Sequence, residues 1–131
     1  MNTTNTRNTD GSQKIMDQSK IEEFKLSFRG NVLSASTHGY DQARKIWNGM
    51  FDRKPALIAR CVGTSDVIQA VNFARDNDLE ISVKGGGHNS AGTAVCDDGL
   101  MIDLSLMRRV TVNRHKKTAR VDGGCLLGDV D

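Results

Sequence analysis

A histidine directly follows three successive glycines in the segment Val-Lys-Gly-Gly-Gly-His-Asn-Ser-Ala-Gly, which spans residues 83–92. Glycine lets a backbone adopt positive φ and approach a ligand closely. Exposed N–H groups in such a turn form a concavity that suits phosphate oxygens. The segment therefore predicts an anion-binding turn, for which a plain tight turn is the alternative.

Two familiar phosphate-binding fingerprints fail on this segment. The dinucleotide pattern Gly-x-Gly-x-x-Gly, begun at Gly85, requires glycine where Ser90 stands. The P-loop pattern, begun at Gly87, reaches Gly92 but then requires lysine where Thr93 stands. The segment is therefore neither a standard dinucleotide-binding turn nor a Walker loop.

The histidine of the segment, His88, is the candidate reactive side chain. A lone histidine is more often a structural or surface residue, but a ligand held by these glycines would lie against the imidazole of His88. His38 and His115 have no comparable context, and we assign them no role.

The apolar pattern along the chain predicts the strands and helices that position this segment. Apolar residues at helical spacing predict a helix over residues 40–51. A second helix is predicted from a Thr64 or Ser65 cap to about residue 77. Strands are predicted over residues 56–62, 81–83 and 100–104, followed by a hairpin of residues 110–112 and 119–121. Such a succession indicates an α/β or α+β class.

The two ends of the chain differ from its middle. Residues 1 to about 20 are polar, so we expect disorder there, and residues 21–36 give a mixed signal. Residues 1–36 are together predicted to be a disordered or weakly ordered extension. Residues 126–131 begin a helical pattern and the chain then stops, which indicates an interrupted domain.

Composition narrows the classes of function. The 131 residues suit one domain, and 18 basic against 16 acidic residues give a net charge of +2, which disfavours a nucleic-acid binder. No stretch approaches the ~18 apolar residues of a membrane span, and no apolar signal region follows Met1. Three cysteines without a Cys-x-x-Cys pair argue against a disulfide framework and a metal site. We expect a cytoplasmic protein with reduced thiols.

Several ordered motifs over residues 37–131 together carry a resemblance to a known flavoprotein family. They are Tyr-Asp-Gln-Ala-Arg at 40–44 with Trp-Asn at 47–48, Arg-Lys-Pro-Ala-Leu-Ile-Ala-Arg-Cys at 53–61, the glycine segment at 83–92, Met-Ile-Asp-Leu-Ser-Leu-Met at 101–107, and Val-Asp-Gly-Gly at 121–124 with Gly-Asp at 128–129. In this order the chain resembles the FAD-linked oxidases of the berberine bridge enzyme and 6-hydroxynicotine oxidase type. These belong to the vanillyl-alcohol oxidase superfamily, which has a PCMH-type FAD-binding domain.

The resemblance implies a fold and a set of cofactor-binding residues. The implied fold is α+β, the N-terminal part of a PCMH-type FAD-binding domain, with a small mixed sheet and flanking helices. Residues 37–131 would form that part and leave it incomplete, because family members are several times longer. The implied FAD-binding residues are Lys84, Gly85, Gly86, Gly87, His88, Asn89, Ser90, Gly92, Asp103, Leu104, Ser105, Gly123 and Gly124.

The resemblance also implies how FAD is attached. His88 matches the family histidine that bonds to the flavin 8α-methyl carbon, so a covalent FAD through His88 is implied. Some family members add a second bond through a cysteine of a later segment. Cys125 stands in the earlier Gly-Gly turn instead, and we interpret it as a buried thiol.

The function that follows from the resemblance is the FAD-binding portion of an oxidoreductase. It would move a hydride from a small-molecule substrate to FAD, with O2 as acceptor, and no residue of this chain is assigned a catalytic role. One alternative is a non-catalytic FAD- or nucleotide-binding fragment, or a subunit that needs a separate C-terminal half. Another is a non-functional truncation of poor solubility, because half a sheet exposes apolar surface.

Overall fold

The computed structural model describes residues 4–46, 49–50, 52–87 and 92–130. Within these ranges the chain forms eight strands and four helices. The elements are β1 (Thr4–Arg7), β2 (Gln13–Met16), α1 (Gln18–Ser27), β3 (Asn31–Leu33), α2 (Tyr40–Arg44), β4 (Leu57–Arg60), α3 (Thr64–Asp76), β5 (Ile81–Lys84), β6 (Leu100–Asp103), β7 (Val110–Asn113), β8 (Thr118–Val121) and α4 (Leu127–Val130).

A four-stranded mixed sheet in the order β3-β4-β6-β5 forms the centre of the structure. Strands β4, β6 and β5 are parallel, and β3 pairs antiparallel with β4. The register places Arg60, Lys84 and Asp103 side by side at the carboxyl ends of the parallel strands, an edge called the carboxyl edge below. The predicted small mixed sheet with flanking helices is thereby confirmed.

Both faces of the sheet are covered, because neighbouring side chains of a strand point to opposite faces. Leu57 of β4 faces a core formed with α1 and α3, in which the rings of Phe24 and Phe73 stack at 4.2 Å. Ile58 faces the opposite core, formed with α2 and the buried Val95. All four residues of β6 are buried, as expected for an inner strand of a sheet covered on both faces.

The amino-terminal part of the chain differs from its prediction. Residues 1–36 are predicted to be a weakly ordered extension, but β1 and β2 form a hairpin, α1 packs in the core and β3 joins the sheet. The hairpin is held by the ends of other strands: the Arg7 N–H donates to the Asp98 carbonyl at 2.7 Å, and the Glu80 N–H donates to the Arg7 carbonyl at 2.9 Å. These bonds join positions distant in sequence, and they stabilise a segment whose composition offers few apolar residues.

The helix predicted over residues 40–51 is shorter in the structure. It ends at Arg44, and Lys45 is already extended, with φ −68° and ψ 140°. The carbonyl of Ala43 accepts a hydrogen bond from the Lys84 ammonium at 3.1 Å, which satisfies a carbonyl of the last helical turn. Part of the predicted helix lies outside the described residues. None of the described helices has the length and apolar character needed to cross a bilayer.

Candidate cofactor site at the carboxyl edge

Three turns meet at the carboxyl edge of the sheet. They follow β5, β6 and β8 and comprise residues 85–87, 104–107 and 122–125. The Leu104 N–H donates to the Lys84 carbonyl at 2.8 Å, which joins the turn after β6 to the end of β5. In open α/β sheets ligands bind outside the carboxyl ends of the strands, so this edge is the expected place for a site.

The turns pack backbone against backbone, and glycine is what permits the contact. A Cβ added at Gly85 would lie 2.6 Å from the carbonyl oxygen of Gly123. A Cβ added at Gly124 would lie 1.7 Å from the carbonyl oxygen of Leu104. Both distances are shorter than any real Cβ contact, so the structure brings four of the predicted cofactor residues together through their main chains.

The first described part of the glycine segment, residues 85–87, contains backbone N–H groups that are candidate donors to a ligand. Among the residues that the structure describes, no backbone carbonyl accepts a hydrogen bond from the N–H of Gly86 or Gly87. Gly87 has φ +75° and Gly92 has φ +74°, a region that residues with a side chain rarely adopt. Successive N–H groups of this kind suit an anion. His88, Asn89 and Ser90, which sequence reasoning also singled out, lie outside the described residues.

Lys84 supports the glycine turn from below. Its ammonium donates to the Ala43 carbonyl, and its Cε lies 3.3 Å from the position that a Cβ of Gly87 would occupy. Burial lowers the pKa of the Lys84 ammonium, while the nearby Asp103 carboxylate acts in the opposite direction and Arg60 lowers it further. The Lys84 side chain thus packs against Gly87, and its ammonium links α2 to β5 through the hydrogen bond to Ala43.

Asp103 organises the turn after β6. The side chain is 1% exposed; its Oδ1 accepts the Ser105 N–H at 2.9 Å, and its Oδ2 lies 3.5 Å from Nε of Arg60. A buried carboxylate is tolerated when it is paired and hydrogen-bonded, as here. Because this carboxylate is engaged by a cation and a backbone donor, it does not face an anion bound at the glycine turn as an unpaired like charge.

One contact of the last residue of the glycine segment was missed by sequence reasoning. Nη1 of Arg53 donates to the Gly92 carbonyl at 2.9 Å and to the Val95 carbonyl at 3.3 Å. Arg53 lies in the motif before β4, far from the glycine segment in sequence. The sequence shows only that Arg53 belongs to this motif, and the motif does not indicate a contact with Gly92 or Val95.

Among the described residues, the cysteines and acidic side chains form no metal-binding cluster. Cys61 and Cys96 are buried and Cys125 is half-buried, so the last is less enclosed than predicted. The Cys125 thiol donates to the Arg109 carbonyl at 3.6 Å. Within the described ranges, no group of three or more His, Cys, Asp or Glu side chains is placed to hold a metal ion.

Comparisons with known proteins agree on one cofactor. Residues 55–131 match the family described as FAD binding domain. The (R)-6-hydroxynicotine oxidase of Paenarthrobacter nicotinovorans is 42% identical over 105 residues, which are 80% of this chain and 23% of that protein. The glucooligosaccharide oxidase of Sarocladium strictum is 37% identical over 94 residues, 70% of this chain and 19% of that protein.

Solved structures give the same result. The crystal structure of 6-hydroxy-D-nicotine oxidase from Arthrobacter nicotinovorans superposes with a TM-score of 0.76 at 42% identity, over 80% of this chain and 23% of that one. Glucooligosaccharide oxidase from Acremonium strictum, with its 6-S-cysteinyl, 8α-N1-histidyl FAD, superposes with a TM-score of 0.74 at 31% identity. The match covers 83% of this chain and 23% of that one. The chain spans about a quarter of the length of the curated relatives it matches first, between 23% and 27%.

Proposed function

The chain belongs to the family of FAD binding domains found in FAD-linked oxidoreductases, and from that premise we propose that its carboxyl-edge turns bind the pyrophosphate of FAD. This membership confirms the resemblance predicted from the sequence motifs. The observation that carries the proposal is the meeting of three turns at one sheet edge, two of them rich in glycine, with the N–H groups of Gly86 and Gly87 lacking acceptors among the described residues.

The residues at the edge fit a dinucleotide. The N–H groups of Gly86 and Gly87 have no backbone acceptor among the described residues, and the carboxylate of Asp103 is engaged with Arg60 and with the Ser105 N–H. A pyrophosphate would therefore meet donors and no unpaired like charge. When bound, FAD supplies the redox chemistry, because it can take a hydride from a substrate C–H. We propose dioxygen as the acceptor of the electrons from the reduced flavin. The residues described here bind and orient; we assign none of them to the hydride transfer.

His88 is the residue we propose to carry a covalent bond to the flavin 8α carbon. Its position directly after Gly87 supports the assignment, because a cofactor held by the glycine turn passes beside it. A tether would fix the flavin ring relative to the sheet. Asn89 and Ser90 are proposed to complete the wall of the pyrophosphate site.

An intact-mass measurement under denaturing conditions tests this proposal. The chain is incubated with FAD, denatured and weighed, and we expect an adduct of one FAD that maps to the peptide containing His88. His88→Ala should lose the adduct and keep reversible binding, measured by quenching of flavin fluorescence. His115→Ala, in the exposed turn between β7 and β8, is the matched control and should keep the adduct. An adduct that survives in His88→Ala would refute the role of His88.

A second candidate is an FAD-binding subunit that needs a separate C-terminal half. Exposed apolar side chains near the end of the chain favour it: Val112 is 65% exposed and Leu127 is 83% exposed. For the whole protein we propose a small-molecule substrate, with no nucleic-acid partner, and a cytoplasmic location, which the three free cysteines support. FAD binding without turnover of any small molecule would favour the subunit over a complete oxidase.

A further inference from the structure

One side chain contacts the glycine turn directly and also joins it to a helix. Lys84 is the last residue of β5 and directly precedes the turn of residues 85–87. Its ammonium donates to the Ala43 carbonyl of α2 at 3.1 Å, and its Cε lies 3.3 Å from the position that a Cβ of Gly87 would occupy. The Lys84 side chain therefore runs from the strand past Gly87 to the helix.

Gly87 is also in contact with the residues that follow α2. A Cβ added at Gly87 would lie 3.4 Å from Cα of Ile46, so Gly87 is held between Ile46 and the Lys84 side chain. Gly87 has φ +75°, and glycine has little intrinsic preference for one backbone conformation. The conformation of the turn at Gly87 therefore depends on these two contacts.

The helix that receives the ammonium is itself fixed. Ala43 is buried and packs in one core with Ile58 and Met101 of the central sheet. The hydroxyl of Tyr40, at the start of α2, donates to the Pro55 carbonyl at 2.6 Å. Hydrogen bonds from a charged donor are stronger than neutral ones, so the Lys84 ammonium ties the glycine turn firmly to a fixed element.

We propose that Lys84 is a positioning residue for cofactor binding, which holds Gly87 against α2 so that the N–H groups of Gly86 and Gly87 are in place before the FAD pyrophosphate binds. The inference rests on the proposed function. Lys84 acts here through the backbone of the turn, which differs from the direct contact with FAD that the sequence resemblance implies for it. A flexible turn loses entropy when it orders on a ligand, and contacts formed before binding remove part of that cost.

The test compares variants of the full chain that remove or keep the ammonium. Lys84→Met keeps an apolar stem against Gly87 and removes the charge and its donors, and Lys84→Gln is a second uncharged variant with a shorter side chain. Lys84→Arg keeps a charged donor. Lys14→Met is the matched control, because the Lys14 ammonium also donates to a carbonyl at the end of a helix, that of Asn77 after α3. The control loses the same kind of hydrogen bond away from the carboxyl edge.

Affinity for FAD is measured by quenching of flavin fluorescence, and affinity for ADP, which carries the same diphosphate, by calorimetry. Loss of order in the turn predicts about a tenfold rise in Kd for both ligands in Lys84→Met and Lys84→Gln. Lys84→Arg should recover part of that loss, and Lys14→Met should bind as the wild type does. Binding within about twofold of the wild type by either uncharged variant would overturn the proposal, and so would an equal loss in Lys14→Met.

A second measurement needs no ligand. The backbone N–H order parameters of Gly86 and Gly87, obtained from NMR relaxation, should fall in Lys84→Met and stay unchanged in Lys14→Met. Unchanged order parameters in Lys84→Met would overturn the proposal even if FAD affinity falls, because Lys84 would then act by contacting the cofactor. A wild-type chain that binds neither FAD nor ADP would refute the proposed function instead, while the order parameters still decide whether Lys84 holds the turn.

Discussion

Replacing Gly124 by alanine tests the packing of the turns at the carboxyl edge. The added Cβ would lie 1.7 Å from the carbonyl oxygen of Leu104 and 2.8 Å from that of Met107. Both oxygens are held in place by hydrogen bonds. The Leu104 carbonyl accepts the Met107 N–H at 2.8 Å, and the Met107 carbonyl accepts the Gly124 N–H at 3.0 Å. The new methyl group therefore presses on a hydrogen-bonded backbone instead of on a flexible side chain.

The structure sets the size of the effect. The Cβ has to move by about 1.7 Å to reach an ordinary contact distance of 3.4 Å from the Leu104 oxygen. A displacement of that size breaks the hydrogen bond between Gly124 and Met107, which is worth about 0.5–1.5 kcal/mol. Overpacking adds about 1–3 kcal/mol. Together these effects predict a loss of roughly 2–4 kcal/mol in the free energy of unfolding.

Urea unfolding followed by circular dichroism measures this loss, and Gly128→Ala is the matched control. A Cβ at Gly128, in α4, meets nothing within 4 Å, so this variant should be unchanged or stabilised by up to about 1 kcal/mol. Gly124→Ala should also weaken FAD binding, because its turn carries Gly123 against Gly85. A loss below about 0.5 kcal/mol, with FAD affinity intact, would refute the proposed packing of the three turns.

Two further predictions concern buried groups. Asp66 is 1% exposed and accepts three backbone N–H groups, so Asp66→Asn, whose side chain offers one oxygen, should lower the free energy of unfolding by about 1–3 kcal/mol, measured by urea unfolding. Burial raises the pKa of the Cys61 thiol to about 12, so at about pH 8 a thiol reagent should modify the half-buried Cys125 in the native chain and leave Cys61 unmodified until urea is added. Modification of Cys61 at the rate of Cys125 would contradict its burial.

The central sheet was predictable because its strands have a distinctive local pattern. The apolar run of residues 56–62 contains β4, whose residues Leu57, Ile58 and Ala59 are all buried. Such a run is expected of a parallel strand covered on both faces. Gly85 in the glycine segment and Gly124 in the turn after β8 lie where neighbouring backbones approach too closely for a side chain, while the cofactor-binding role of the segment stays a prediction.

Other features depend on contacts that no local pattern contains. The helix α3 begins at Thr64 with Gly63 as its cap residue, and no side chain caps it. Asp66 in its first turn accepts the N–H groups of Arg29 and Gly30, on the turn before β3, each at 2.9 Å. These partners are more than thirty positions away along the chain. The sequence predicts a helix that includes Asp66 but does not identify the partners of its carboxylate, and the amino-terminal hairpin was not predicted for the same reason.

The charged side chains at the carboxyl edge contact one another and the fold, and this bears on the cofactor recognition that we propose. Asp103 pairs with Arg60, and Lys84 donates to the Ala43 carbonyl of α2. With these groups engaged, we propose that backbone N–H groups such as that of Gly86 face the pyrophosphate, together with Asn89 and Ser90. Recognition by the main chain is tighter when the backbone conformation is fixed before binding, and in our proposal the close packing at Gly85 and Gly124 supplies that fixed conformation.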